Sequence, residues 1–185
     1  MGSALLVMDF QAAFLDLFDD PAGVVDRAAG VLAATRDAGR PVVHLRVAFP
    51  PVGPPVPAAN RMFGQQFRGR MIEGSPDVAV PDDLAPRPGE PVVTRRRTGP
   101  FAGSDLAPVL RGLGIDALVL TGVSTGGVVA STVCAAADED LALTVLSDAV
   151  DDPDPDLHAA LVGGLFPQHA RVVTSAEHLA QGRAR

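Results

Sequence analysis

The sequence predicts an α/β fold in which helices cover both faces of a mainly parallel sheet of six strands. Short apolar runs alternate with helical segments along the chain, and this order is typical of parallel sheets, whose strands are buried on both faces. The 185 residues, 47% of them hydrophobic, are enough for one domain with a full core. We therefore assign residues 1–185 to a single domain.

The first half of this fold begins with an apolar strand at 3–9. Asp20 and Pro21 are a good N-cap and N1 pair, and they predict a helix that ends at Gly39. One face of that helix is apolar and carries Val24, Val25, Ala28, Val31 and Leu32. A second strand follows at 41–47, and the run at 91–94 is a third.

The second half repeats the strand and helix order. A helix at 104–113, capped by Ser104, precedes a strand at 116–121. The remaining elements are predicted as a helix at 125–139, a strand at 141–147, a helix at 155–165 and a strand at 171–174.

Residues 48–90 interrupt this rhythm with many prolines and little periodicity. A long insertion in a compact domain is usually functional or part of an interface. We interpret it as a lid over the strand ends or as a dimer contact.

Three features lie at the carboxyl ends of predicted strands, where open α/β sheets bind their ligands. Asp9 ends the first strand, Arg95 ends the run at 91–94, and the turn at 122–128 follows the fourth strand. A charged residue after so apolar a strand is costly unless it is used or paired. The pattern therefore predicts that these features converge on one functional site.

The motifs at these positions resemble those of the isochorismatase-like hydrolases, which include nicotinamidases and N-carbamoylsarcosine amidases. The resemblance covers nearly the whole chain and rests on three motifs in order: Val7-Met8-Asp9-Phe10-Gln11 with Phe14, the stretch Arg95 to Ser104, and the stretch Thr121 to Val128. It implies a Rossmann-like three-layer αβα sandwich, a small polar metabolite as substrate, and an oligomer, at least a dimer.

Two of the three chemical positions that the resemblance matches have changed. The family's nucleophilic cysteine falls on Val128 and its lysine on Arg95, whereas its aspartate is kept as Asp9. Valine has no lone pair, so covalent thiol catalysis at this position is excluded. Cys134 does not replace it, because six residues on one helix correspond to a rotation of about 240°. The isochorismatases proper also lack the cysteine, so its loss alone does not exclude catalysis.

Asp9 and Arg95 are the predicted catalytic residues. Asp9 could be a general acid, a general base or a hydrogen-bond acceptor for substrate. Arg95 could pair with Asp9, or its guanidinium could bind a substrate carboxylate through two hydrogen bonds. A close guanidinium would lower the pKa of Asp9, which favours the acceptor role over the acid role. Arginine replaces lysine throughout this lysine-free chain, so Arg95 could also reflect composition alone.

The turn supplies the predicted oxyanion hole. The resemblance implies a cis peptide bond between Val123 and Ser124, with the backbone N–H groups of Ser124 and Val128 forming the hole, which needs no cysteine side chain. Thr125, Gly126 and Gly127 are candidate substrate-binding residues. The glycines could equally serve close packing of helix and sheet, and Thr125 could simply cap the helix.

Three further residues complete the candidate substrate site. The resemblance places Phe14 and Phe101 in the pocket, although either could instead belong to the core. Gln11, beside Asp9, could orient that carboxylate or meet the substrate.

Composition limits the other function classes. A net charge of −7 disfavours nucleic acid and anionic membranes as partners, and no apolar run is long enough to span a bilayer. A single cysteine and the lack of a signal-peptide pattern indicate a cytoplasmic protein. The four histidines show no metal-ligand spacing, and the glycines match no nucleotide motif, so we predict neither a metal nor a cofactor.

Two functions remain open on the sequence. The first is an enzyme that hydrolyses a small polar metabolite without a thiol intermediate, with Asp9 handling the proton. The second is a catalytically inactive family member, used for ligand binding or as a partner subunit. A cavity beside Asp9 favours the first, and a filled site favours the second.

Overall fold

The computed structural model describes residues 2–53 and 56–182 and has a six-stranded sheet at its centre. The strands are β1 (Gly2–Met8), β2 (Val42–Val47), β3 (Val92–Arg95), β4 (Ile115–Val123), β5 (Ala142–Asp151) and β6 (Arg171–Val173). Their order across the sheet is β3-β2-β1-β4-β5-β6, and every pairing is parallel. The predicted α/β fold is therefore confirmed.

Helices cover the sheet on both faces. They are α1 (Ala12–Leu15), α2 (Ala22–Asp37), α3 (Leu106–Gly112), α4 (Ala130–Asp138), α5 (Pro155–Ala160) and α6 (Ser175–Gly182). Alternate residues of β1 point to opposite faces, as they do along any strand. Leu6 and Met8 pack in a core layer with α3 and α4, whereas Leu5 and Val7 pack in a second layer with α1 and α2.

Local chemistry explains most helix ends. Asp20 accepts a hydrogen bond from the backbone N–H of Ala22 (3.0 Å), and Asp154 caps α5 by accepting from the N–H groups of Asp156 and Leu157. The N-cap residue of α3 is Asp105 and not the predicted Ser104, although the Ser104 hydroxyl does accept from the N–H of Leu106 (3.2 Å).

The helices differ from the sequence prediction at several points. A π-helical turn at Thr125–Val129 precedes α4, and another at Leu161–Leu165 follows α5. Neither α1 nor α6 was predicted. The sequence does contain a signal for α6, because Thr174 and Glu177 form a reciprocal capping box.

The insertion folds as irregular chain with one π-helical turn, Met62–Gln66, and two short 3₁₀ turns, Pro76–Val78 and Asp82–Leu84. It adds Phe63, Phe67, Met71 and Leu84 to the core layer that contains α2. The insertion is therefore packed onto the sheet layer and is not a detached arm.

Candidate functional site

Asp9 lies directly after β1 in a left-handed backbone conformation, with φ 58°. Its backbone N–H donates to the carbonyl of Leu45 (3.0 Å), and the residue is 2% exposed. A non-glycine residue rarely adopts this conformation, though aspartate tolerates it better than most. The carboxylate is thus held at the carboxyl end of the central strand, where the sequence places it.

Arg95 is the last residue of β3 and reaches Asp9 across the end of β2, the strand between them. Its Nη2 donates to Asp9 Oδ2 and its Nη1 donates to the backbone carbonyl of Arg97. Arg95 is 2% exposed, and burial lowers the pKa of its guanidinium to about 9, which leaves it charged at neutral pH. The two predicted catalytic residues therefore form a buried ion pair.

One polar atom of each partner stays unpaired. Within the described parts of the chain, Asp9 Oδ1 and Arg95 Nε are buried and have no hydrogen-bond partner. Buried polar groups are usually satisfied, so this pair of atoms is a notable exception.

The turn after β4 approaches β1 closely. A Cβ atom on Gly122 would lie 2.7 Å from the backbone oxygen of Met8, so only glycine allows this contact. The peptide bond between Val123 and Ser124 is cis, which confirms that prediction. The turn therefore lies beside the residue that precedes Asp9.

The side chains of the turn are mostly buried. Thr125 and Val128 are 0% and 2% exposed, and Val128 belongs to the core layer that contains Met8. A Cβ atom on Gly126 would lie 2.6 Å from Leu157 Cδ2, and one on Gly127 would lie 2.7 Å from Ser124 Oγ. These contacts favour close packing as the role of the two glycines.

Gln11 does not orient the Asp9 carboxylate. Its side-chain amide donates to the carbonyl of Val47 (2.9 Å) and accepts from the N–H of the same residue (2.7 Å). The side chain is fully buried and joins the segment after β1 to the end of β2. Its role here is structural, because both hydrogen-bonding groups of the amide are used by the main chain.

The two phenylalanines expected in the pocket pack with different layers. Phe14 is buried and meets the ring of Phe67 edge to face, with centroids 5.3 Å apart. Phe101 is partly buried against the layer that contains Val128. The packing of Phe14 agrees with the alternative that it belongs to the core. Phe101 lies at the border of the other core layer.

Two side chains that contact the turn, His158 and Asp152, were missed by the sequence prediction. Thr125 Oγ1 lies 2.9 Å from His158 Nδ1, and Asp152 Oδ2 accepts from the N–H of Gly126 (2.7 Å). Asp151 Oδ1 approaches the same His158 nitrogen, at 4.0 Å. A relay of the Ser-His-Asp type needs the two ring nitrogens to contact different groups, so this arrangement is not one. The N-cap at Asp154 is the signal that places His158 in the last turn of α5.

The ion pair does not border any of the three most prominent cavities in the described residues. The largest of these, about 720 Å³, lies beyond β2 and β3 and is lined by neither Asp9 nor Arg95. The other two lie at the far end of α2.

No group of three or more His, Cys, Asp or Glu side chains in residues 2–53 and 56–182 is arranged to hold a metal ion. Across the same ranges, no helix combines the length and the apolar character needed to cross a bilayer.

Comparison with known proteins gives a consistent picture. Residues 3–177 match the model of the isochorismatase domain. The chain is 29% identical to the maleamate amidohydrolase of Pseudomonas putida over 97% of this chain and 86% of that protein. It is 32% identical to a ureidoacrylate amidohydrolase of Caulobacter vibrioides over 83% of this chain and 79% of that protein.

Solved structures agree with the fold. An isochorismatase family protein from Burkholderia thailandensis superposes with a TM-score of 0.78 at 28% identity, covering 96% of this chain and 94% of that one. A cysteine hydrolase from Pseudomonas syringae pv. phaseolicola gives a TM-score of 0.90 at 22% identity, covering 98% and 92% of the two chains, and supports the fold alone.

Proposed function

Because the chain belongs to the isochorismatase family, we propose that it is a member that has lost the hydrolysis of amides and keeps the fold for binding. The family's thiol position is Val128, so no acyl-enzyme can form there. Asp9 acts as a structural ion-pair partner and not as a proton-transfer group. The observation that carries this proposal is the buried contact between Asp9 and Arg95.

The ion pair opposes each proton-transfer role. A carboxylate paired with a guanidinium is held in its ionised form, so it is a poor acid at neutral pH. A general base must reach the proton that it removes, directly or through one water. Oδ2 is occupied by Arg95, and Oδ1 is buried.

A direct assay tests the proposal. Two relatives are a maleamate amidohydrolase and a ureidoacrylate amidohydrolase, so these two amides are the natural probes. We expect ammonia release by the wild-type protein to equal that of the Asp9→Asn variant and of a blank without protein. Turnover by the wild type that disappears in Asp9→Asn would overturn the proposal.

A second candidate function rests on the unpartnered Asp9 Oδ1. A free carboxylate oxygen could accept a proton from water during thiol-independent hydrolysis if Arg95 moved and the insertion opened. This function requires the same assay to show turnover that depends on Asp9, with a solvent-derived oxygen in the acid product.

A further inference from the structure

A cleft of about 720 Å³ lies between the insertion and the segment after β3. One wall is formed by residues that follow β2, namely Phe49, Pro50, Pro51, Gly53 and Val56, and another is the segment 63–72. Arg96 and Arg97 close the third side, directly after the strand that ends in Arg95. The cleft thus lies beyond the carboxyl ends of β2 and β3 and is separate from the ion pair.

The floor of the cleft is aromatic. The rings of Phe49 and Phe63 lie 5.6 Å apart, and those of Phe63 and Phe67 lie 6.3 Å apart. Phe67 lines the cleft and also contacts Phe14, which does not line it. The two buried rings of the π-helical segment therefore give the cleft a fixed apolar surface that is suited to a flat or unsaturated ligand.

The rim of the cleft is basic. Four of the 15 arginines of the chain line it, namely Arg68, Arg70, Arg96 and Arg97, and no carboxylate appears among the described lining residues. Arg70 is already paired, because it donates to both carboxylate oxygens of Asp77 (2.7 and 3.1 Å). The other three form no ion pair with any described residue.

This concentration of charge is unusual for the chain as a whole. The protein carries a net charge of −7, yet three guanidinium groups surround one concave surface without a counter-charge from the described residues. Like charges repel, and a cleft with apolar walls strengthens their field. A bound anion removes this cost, and the planar fork of arginine suits a carboxylate in particular.

We propose that this cleft binds a small organic anion with an aromatic or unsaturated body and one or two carboxylates. The body lies on Phe49 and Phe63, and the carboxylates meet Arg68, Arg96 and Arg97. The proposal goes beyond the loss of hydrolysis argued above and does not depend on it. Arg95 contacts the backbone carbonyl of Arg97, so a side-chain substitution at Arg97 leaves the ion pair with Asp9 in place.

The test is calorimetric titration of the full chain with three probes, phthalate, benzoate and benzamide. We expect phthalate to bind more tightly than benzoate, and benzamide, which has the same shape without the charge, to show no binding. The affinity for phthalate falls as NaCl is raised from 20 to 500 mM, because salt screens the arginines. Arg96→Gln, Arg97→Gln and Arg68→Gln each weaken phthalate binding by about tenfold, the size expected for one charge-assisted contact.

The matched control is Arg111→Gln. Arg111 is an exposed arginine on α3, remote from the cleft, and its loss changes the net charge by the same amount. We expect its phthalate affinity to equal that of the wild type. Equal weakening in Arg111→Gln, equal binding of benzamide, or no effect of the three cleft variants would each overturn the proposal.

A second copy of the chain is the competing occupant. Size-exclusion chromatography with light scattering identifies it: an oligomer that dissociates in Arg97→Gln, together with no binding of phthalate, would make the cleft a subunit interface. That result would also overturn the proposal. None of these outcomes depends on ammonia release. The binding experiments therefore test the cleft independently of the proposal that amide hydrolysis has been lost.

Discussion

The buried ion pair makes a specific prediction for the stability of the fold. If Asp9 neutralises Arg95, the Asp9→Asn variant leaves a buried guanidinium without a counter-charge and destabilises the fold. If Arg95 does not depend on Asp9 for a counter-charge, the substitution leaves stability unchanged or raises it. We expect the first result.

The expected size follows from burial. Both side chains are 2% exposed, and removal of one partner from such a pair costs about 3–5 kcal/mol. A change of 1 kcal/mol shifts the Tm of a domain of this size by about 2–4 °C. The Tm of Asp9→Asn should therefore fall by roughly 6–20 °C, with the lower end favoured because asparagine still accepts a hydrogen bond.

The assay is a double-mutant cycle of Asp9→Asn, Arg95→Met and the double variant, followed by thermal and urea unfolding. The double variant buries no charge, so we expect it to be more stable than Asp9→Asn. Glu73→Gln is the control, because Glu73 is 55% exposed in its pair with Arg46 and should contribute less than about 1 kcal/mol.

Two results would refute the reasoning. One is an Asp9→Asn variant that is as stable as the wild type or more stable. The other is a double variant that is no more stable than Asp9→Asn, since the cost would then come from lost packing and not from an isolated charge. The second comparison remains informative even if Asp9→Asn is largely unfolded.

Three other predictions follow from the same structure. Hydrogen bonds from Arg36, the N–H of Arg87 and His44 lower the pKa of Glu90 to about 2, so the stability that Glu90 contributes is present above its ordinary pKa near 4.5 and is lost as the pH falls toward 2. Urea unfolding of Glu90→Gln should therefore show a loss of about 1–2 kcal/mol at pH 7 that becomes smaller at pH 3. A loss that is the same at both pH values would contradict this. The cysteine of Val128→Cys in a Cys134→Ser background should react with a thiol reagent at least about 100-fold more slowly than the exposed Cys134 of the wild type, because position 128 is buried. Fast modification would mean that the site is open. Gly122→Ala should lower the stability of the fold by about 1–3 kcal/mol, because the new Cβ atom would meet the backbone of Met8. Gly30→Ala, on an exposed face of α2, should raise stability by up to about 1 kcal/mol. Similar effects of the two substitutions on the Tm would disprove the close approach of Gly122 to Met8.

The strands were predictable because their signal is local. Apolar runs such as Ala4 to Met8 are buried on both faces, so their composition alone marks them, and the observed bounds differ from the predicted ones by one or two residues for most strands. β5 is the exception, because it extends through Ser147 and Asp148 to Val150 and Asp151, which pair with the end of β4.

The insertion was not predictable in detail. Its turns have no periodicity, and its structure depends on contacts distant in sequence, such as Phe67 with Phe14 and Asp77 with the N–H of Met71. Burial of Phe63 and Phe67 follows from these contacts. Neither residue carries a local signal that distinguishes it from an exposed aromatic side chain.

The sequence predicted where the site lies but not how its side chains pair. Sequence placed Asp9, Arg95 and the turn at one edge of the sheet, and the structure brings Asp9 and Arg95 into contact. Whether Arg95 would pair with Asp9 or bind a substrate was left open, because both choices satisfy its charge. The contact of Gln11 with Val47 was missed, since a glutamine beside an aspartate gives no indication of which neighbour it will bind.

The pair between Asp9 and Arg95 also controls the alignment of the outermost strand. β3 has only four residues and is paired on one side, with Val47 opposite Arg95. A slip by one residue would turn Arg95 to the opposite side of the sheet and leave Asp9 facing a neighbouring side chain such as Thr94. The misaligned sheet would then contain two separated buried charges, so the ion pair favours the observed register of β3 over a slipped one.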